Sequence, residues 1–388
     1  MSRRFAHGLV VGKFYPPHLG HDLVISRAAA ACQRVSVLVM AARTETVRLA
    51  DRVAWLRASH ASEPGVAVTG ARCDIPVDFG SPAVWTAQVA LMRSALANSA
   101  SGRDGQPPVD AVFSSEPYGD ELAARFGAVH VAVDRDRELV PVSGSEVRAD
   151  LAGCWDFLAP AVRAGLAVRV VLLGAESTGT TTIARLLAAH YRDRGGAWQR
   201  TGCVAEAGRD YTIASWQRAI AAAAADGLAA PPLTALTWTA ADFDAIAAEQ
   251  TGAENAAAAS GSPLLVCDTD ALATAVWERR YLGPRTRPLQ PWATALLARR
   301  DIYLLTSHEG VPWLDDGLRE GDLAVRAAMT GWFAEALTAA GHSWLLLTGD
   351  IEQRLALAAG VTDYLLTDRF RFGPAVTDAA MTAAGENP

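Results

Sequence analysis

The chain has 388 residues, 51% hydrophobic and 20% charged, with a formal net charge of −7. That length exceeds what one hydrophobic core usually serves, so two domains are expected. The acidic balance argues against a general nucleic-acid binder, which would show a basic patch or stripe, and no apolar run is long enough to span a bilayer.

Five scattered cysteines, Cys32, Cys73, Cys154, Cys203 and Cys267, include no CxxC pair and read as reduced thiols in a cytoplasmic protein. The start, "MSRRFAHGLVVGKF", lacks the apolar core of a signal peptide. Lysine and arginine total 35, yet Lys13 is the only lysine. In so arginine-biased a chain, a lysine at that position stands out.

The first half alternates strand-like and helix-like segments. "HGLVVGKF" predicts a strand, "GHDLVISRAAAACQ" a helix, "VSVLVMA" a strand and "VRLADRVAWLRASH" an amphipathic helix. "GVAVTGA", "AVFSS" and "AVHVAV" predict further short strands, with a polar loop over 98–108. Residues 151–167 read as a helical connector interrupted at Pro160. A second series follows, with strands over 168–173, 263–267, 301–306 and 343–348 and a helix over 181–191. The alanine-rich stretch 219–232 predicts a helix running into a surface loop. Buried strands alternating with helices predict an α/β protein with two parallel-sheet domains. The expected boundaries are 1–155, a connector over 156–167, a second domain over 168–370 and a frayed tail over 371–388.

The segment "GKFYPPHLGH" follows the first strand directly, where open α/β sheets bind ligands. His18 and His21, three apart at a helix start, share one face, and Lys13 lies beside them. The helix dipole and free amides there favour a polyphosphate, and Gly20 lets the backbone approach it. An isolated H-x-x-H would equally be two surface histidines or a metal pair. In "VSGSEVRADL", Ser143 or Ser145 starts a helix with Arg148 in its first turn. That is a phosphate clamp, or an N-cap serine with a solvated arginine.

Together these strings resemble the HxGH and ISxSxxR motifs of the nucleotidyltransferase superfamily. In that superfamily both histidines act on the triphosphate and its transition state. The resemblance implies a Rossmann-like HxGH domain in which His18, His21, Lys13 and Arg148 are catalytic. It also implies that Gly12, Phe14, Gly20, Ser143 and Ser145 contact ATP. "FSSEPYG" and the following "DRDR" look like the NadR branch, bifunctional nicotinamide mononucleotide (NMN) adenylyltransferases and ribosylnicotinamide kinases. By that resemblance Trp85 stacks on a nicotinamide ring; the alternative is a core tryptophan.

The second series opens with "GAESTGTTT", residues 174–182, between an apolar strand and a helix. The phosphate-loop pattern G-x-x-x-x-G-K-[ST] is met except that Thr180 stands where lysine is expected. The loop amides do not depend on side-chain identity, so the cradle survives. One positive charge on the β- and γ-phosphates is lost, worth about 2.7–4 kcal/mol in a catalytic site. Either the charge comes from elsewhere, with Arg319 the candidate, or the domain binds nucleotide with little phosphoryl transfer.

This region resembles the P-loop kinase-like domain of the same family. "VAEAGRDY", "DFDAIAAEQ" (a helix ending in glutamine), "LLVCDTDALAT", "VPWLDDGLR" (a lid) and "LLLTGDIEQRL" follow in the family's order. The resemblance implies catalytic Asp268 and Arg319. It implies phosphate contacts from Gly174, Ser177, Thr178, Gly179, Thr180, Thr181 and Thr182. Glu206, Arg209 and Asp270 would bind substrate, and Mg²⁺ would be held by Thr181 and Asp268. For Asp268, Glu206 and Arg319 the alternatives are a turn residue, a surface carboxylate and a solvated arginine.

The implied function is NAD salvage. ATP is the co-substrate, and NMN, nicotinamide riboside and NAD are the other small-molecule partners, with no nucleic acid or membrane partner and an oligomer of identical chains. The family's helix-turn-helix is not expected, because the first strand begins by Gly8. An NAD-sensing regulator and a nucleotidyltransferase for another phosphorylated acceptor are the competing readings.

Overall fold

The computed structural model describes residues 4–99, 107–284, 300–314 and 322–375. The chain divides into two compact units, Met1–Gly165 with Phe370–Pro388, and Leu166–Arg369.

The first unit is built on β1 (Phe5–Gly12), β2 (Cys32–Ala41), β3 (Val66–Arg72), β4 (Ala111–Ser114) and β5 (Val129–Ala132). All four pairings are parallel, in the order β3-β2-β1-β4-β5. Strands such as "VSVLVM" are apolar throughout because helices cover both faces. The helices are α1 (Leu19–Ala31), α2 (Leu49–Ser59), α3 (Pro82–Ser99), α4 (Gly119–Phe126) and α5 (Gly144–Ala149). One core cluster joins Ile25, Val37, Leu56 and Phe113, and another joins Leu9, Leu38, Met92 and Val112. Strand order reverses between β1 and β4, and the crevice beyond their carboxyl ends is where such sheets bind ligands.

The second unit has β6 (Val168–Gly174), β7 (Cys203–Val204), β8 (Leu264–Asp268), β9 (Ile302–Thr306) and β10 (Trp344–Leu347), all parallel, in the order β10-β9-β6-β8-β7. Its helices are α7 (Thr180–Arg192), α8 (Ala207–Ala225), α9 (Ala240–Ser260), α10 (Ala271–Leu282), α11 (Leu323–Ala339) and α12 (Ile351–Arg369). The expected α/β class with two parallel sheets is therefore observed. Among the described residues, no helix is long and apolar enough to cross a membrane.

The helical connector breaks at Pro160 as expected: a 3-10 turn, Trp155–Phe157, ends before it, and Pro160 is the first residue of α6 (Pro160–Leu166), where its missing N–H costs nothing. Three local readings need correction. The expected loop over 98–108 begins late, because α3 runs to Ser99. The helix expected to end at Gln250 continues to Ser260, with Thr251, Glu254 and Ala258 buried along it. The tail does not fray at residue 371. Tyr15 donates to the Gly373 carbonyl at 3.0 Å, the Phe372 ring meets the Tyr15 ring edge-on at 5.5 Å, and Ala375 is buried.

Candidate active site

A cavity of about 750 Å³ opens in the first unit at the strand-order reversal, lined from Gly12 at the end of β1 and Ser114 at the end of β4. Lys13, Phe14, His18, Gly20 and His21 enter it from the turn between β1 and α1. Ser143, Ser145 and Arg148 enter from the other side, and Trp85 from α3. All ten residues expected at the first site thus line one cavity.

The turn explains how. Phe14 takes the left-handed φ of 47°, and His18 is extended as the N-cap of α1. The His18 backbone N–H donates to His21 Nδ1 at 3.2 Å. In neutral His21 the proton therefore sits on Nε2. The two rings lie 3.7 Å apart. A Cβ on Gly20 would stand 3.0 Å from His18 Nδ1, so any larger side chain would press on that ring. Among the described residues, His18 Nδ1 is one of two buried side-chain polar atoms with no hydrogen-bond partner.

The two motifs meet directly. Arg148 donates to the Tyr15 carbonyl at 3.0 Å and to Ser145 Oγ at 3.1 Å. Ser143 is an N-cap: its Oγ accepts from the Glu146 amide at 3.2 Å, and the Glu146 carboxylate accepts from the Ser143 amide at 2.6 Å. Trp85 is 5% exposed, and its indole donates to the Phe79 carbonyl at 3.1 Å. It is a core residue that also forms cavity wall.

Electrostatics favour neutral histidines. Burial, then the Arg137 charge, lowers His18 to about 4. Burial, His18 and Arg137 hold His21 well below its ordinary value. Arg137, which the motif reading did not single out, lines the cavity with a left-handed φ of 54° and donates to Glu116 at 2.9 Å. The "DRDR" string was its only signal.

Lys13 is held by Glu45 at 3.1 Å, and Glu45 also accepts from Arg52 at 2.6 Å; both of those side chains are fully buried. Arg52 in turn donates to the Lys13 carbonyl at 3.0 Å. Glu45→Gln leaves Arg52 buried without its counter-charge. The expected cost is about 3 kcal/mol of stability, read by denaturant unfolding.

In the second unit the phosphate loop joins β6 to α7. Ser177 and Gly179 adopt left-handed φ values of 57° and 87°. Gly174 has no room for a side chain, since a Cβ would come within 2.1 Å of Thr306 Oγ1. Thr180 begins α7, and its hydroxyl lies 3.0 Å from Thr306 Oγ1 and 3.3 Å from Thr178 Oγ1. Thr178 is 1% exposed, 2.7 Å from Thr306 Oγ1, and donates to the Ala175 carbonyl at 2.7 Å. Its side chain ties the loop together instead of facing a phosphate. Ser177 Oγ accepts from the Leu314 amide at 3.1 Å, and Thr182 is exposed on α7.

The Thr181 side chain lies near Asp268, the last residue of β8. Burial raises Asp268, while the Thr181 hydroxyl and the Arg185 and Arg209 charges oppose that. Glu206 and Arg209 flank the start of α8, Glu206 as its N-cap. Asp270 is not a substrate contact. It is 0% exposed, caps α10 by accepting from the Leu272 and Ala273 amides, and accepts from Tyr303 at 2.7 Å and Arg300 at 3.3 Å. Arg300 also pairs with buried Glu254, which burial pushes up to about 7. Arg319 and the rest of the expected lid beyond Leu314 lie outside the described residues.

An aromatic group escaped the sequence reading. Trp238 lies 5.7 Å from Phe243 and 5.6 Å from Tyr281, and Tyr211 donates to Asp242 at 2.7 Å. Arg280 stands over the Tyr281 ring and pairs with Glu176 of the loop at 2.7 Å. Among the described residues, no cluster of three or more histidine, cysteine or acidic side chains is arranged to hold a metal.

Comparison with known proteins agrees with this architecture. A family profile described as an AAA domain matches residues 169–354. The trifunctional NAD biosynthesis/regulator protein NadR of Salmonella typhimurium is 24% identical over 345 residues, 85% of this chain and 76% of that protein. The Escherichia coli protein of the same name is 24% identical, covering 80% of this chain and 71% of its own. A crystal structure of NadR in complex with NR superposes with a TM-score of 0.60 at 19% identity, covering 94% of this chain and 96% of that one. A NadR complex with NAD and AMP-PNP gives 0.60 at 18%, covering 94% and 98%.

Proposed function

The chain belongs to the NadR-like family, and we propose that its two units catalyse two linked steps of NAD salvage. The first unit transfers the adenylyl group of ATP to NMN. A phosphate oxygen of the mononucleotide attacks the α-phosphorus, and pyrophosphate leaves with its electron pair. No covalent enzyme intermediate is needed. Lys13 and Arg148 offset charge on the triphosphate, and the neutral histidines donate N–H bonds that strengthen as charge develops. The observation that carries this reading is the convergence of ten residues, from three separate stretches of sequence, on one cavity at the strand-order reversal.

The second unit, spanning roughly the 168–370 domain expected from sequence, phosphorylates nicotinamide riboside with ATP. The Thr181 hydroxyl and Asp268 carboxylate are neighbouring hard oxygen donors, suited to Mg²⁺. When bound, that ion offsets charge on the β- and γ-phosphates. Glu206 and Arg209 are the candidates for the ribose side. The Trp238, Phe243 and Tyr281 rings suit a cationic pyridine ring.

The test is product analysis with ATP, Mg²⁺ and either NMN or the riboside. NAD from the mononucleotide and ADP from the riboside are expected. NAD alone would make the second unit a binding module, a reading favoured by the engagement of Thr180 with Thr306. Turnover of neither would overturn both assignments.

A further inference from the structure

With residue 180 a threonine whose hydroxyl meets Thr306, the loop lacks a cation on its inner side at that position. Its outer side is different. Arg326, near the start of α11, donates to the Glu176 carbonyl at 2.9 Å and the Ser177 carbonyl at 3.0 Å. Arg354, near the start of α12, donates to the Thr178 carbonyl at 3.0 Å. Three consecutive loop carbonyls are thus held by two guanidinium groups. They are 6% and 2% exposed.

In a trans peptide the C=O and the following N–H point in opposite directions. Holding these three carbonyls outward turns the amides of Ser177, Thr178 and Gly179 the other way, toward the inside of the loop. The left-handed residues at 177 and 179 give that run the concave shape that binds anions. Each arginine is braced from elsewhere. Arg326 also donates to the Val311 carbonyl at 3.0 Å. Arg354 donates to the carbonyls of Gly349, Ser307 and Glu309 at 2.8, 3.1 and 3.3 Å. Among the described residues, every recorded hydrogen bond of Arg354 goes to a carbonyl and none to a carboxylate. Burial, then the charge of Arg326, lowers its pKa, as expected for two neighbouring cations.

We propose that Arg326 and Arg354 are positioning residues for phosphate binding: from behind the loop they turn its amides inward and supply positive charge that residue 180 does not. The proposal rests on the second unit being an ATP site. It requires both arginines to act on the phosphates and not on the nucleoside.

Photolabelling of the full chain with azido-ATP and Mg²⁺, with labelled peptides mapped to the second unit, reads this site apart from the first. Competition by ATP and by adenosine then separates phosphate from nucleoside binding. Arg354→Gln is expected to weaken competition by ATP about ten- to a hundred-fold while leaving adenosine within about two-fold, with Arg354→Lys between. Equal weakening of both ligands, or unchanged ATP, would overturn the proposal while leaving the site assignment intact. No labelling of the second unit in the wild-type chain would overturn both. If Arg354→Gln does not fold, Arg326→Gln gives the same split and is judged by it.

Discussion

Replacing His21 by alanine is expected to lower NAD formation from NMN and ATP by about a hundred- to a thousand-fold, chiefly in kcat. The half-buried ring packs against Phe14, and its Nδ1 is already committed to the His18 amide. The remaining Nε2–H is the group that a developing charge would feel. Truncation removes that donor and leaves an apolar gap, while Lys13 and Arg148 continue to bind ground-state triphosphate. A rise in KM at constant kcat would instead make His21 a uniform binding contact.

His18 adds a pH signature to the same site. Its pKa falls from 6.5 unfolded to about 4 folded. The unfolded chain therefore takes up the proton first. This contribution is complete above pH 6.5 and is lost as the pH falls toward 4. The difference corresponds to about 3 kcal/mol. Melting temperatures from pH 7 to 4 should fall more steeply for the wild type than for His18→Asn. Parallel curves would mean that burial of this ring does not couple to folding.

Much of the first site was legible because its chemistry is local. Strand, turn and helix start are consecutive in "GKFYPPHLGH", and motif order alone places the "VSGSEVR" helix on the same sheet. What stayed hidden depends on distant contacts. The Glu45 brace on Lys13 spans 32 residues, and the Arg354 contact with the loop spans 176. No periodicity encodes either. Asp270 misled for a physical reason. An aspartate just past a strand end is as good an N-cap as a ligand, and only its contacts with Tyr303 and Arg300 decide between them. Residues 371–375 looked frayed because nothing local holds them; their partners are Tyr15, Thr44 and Thr46.

Asp268→Asn is expected to reduce ADP formation from nicotinamide riboside by about a hundred- to a thousand-fold and to leave NAD formation from NMN within a few-fold. The substitution isolates charge from shape. Asparagine is nearly isosteric, so the packing of the β8 end against the start of α7 is kept. The buried negative charge is removed, and with it the hard oxygen donor proposed to hold Mg²⁺. Retention of activity would reduce Asp268 to a strand-end residue beside Thr181. In a second unit that binds ATP without turning it over, the same change should abolish the Mg²⁺ dependence of ATP binding while leaving metal-free binding intact, because the loop amides and the arginines behind them do not involve Asp268.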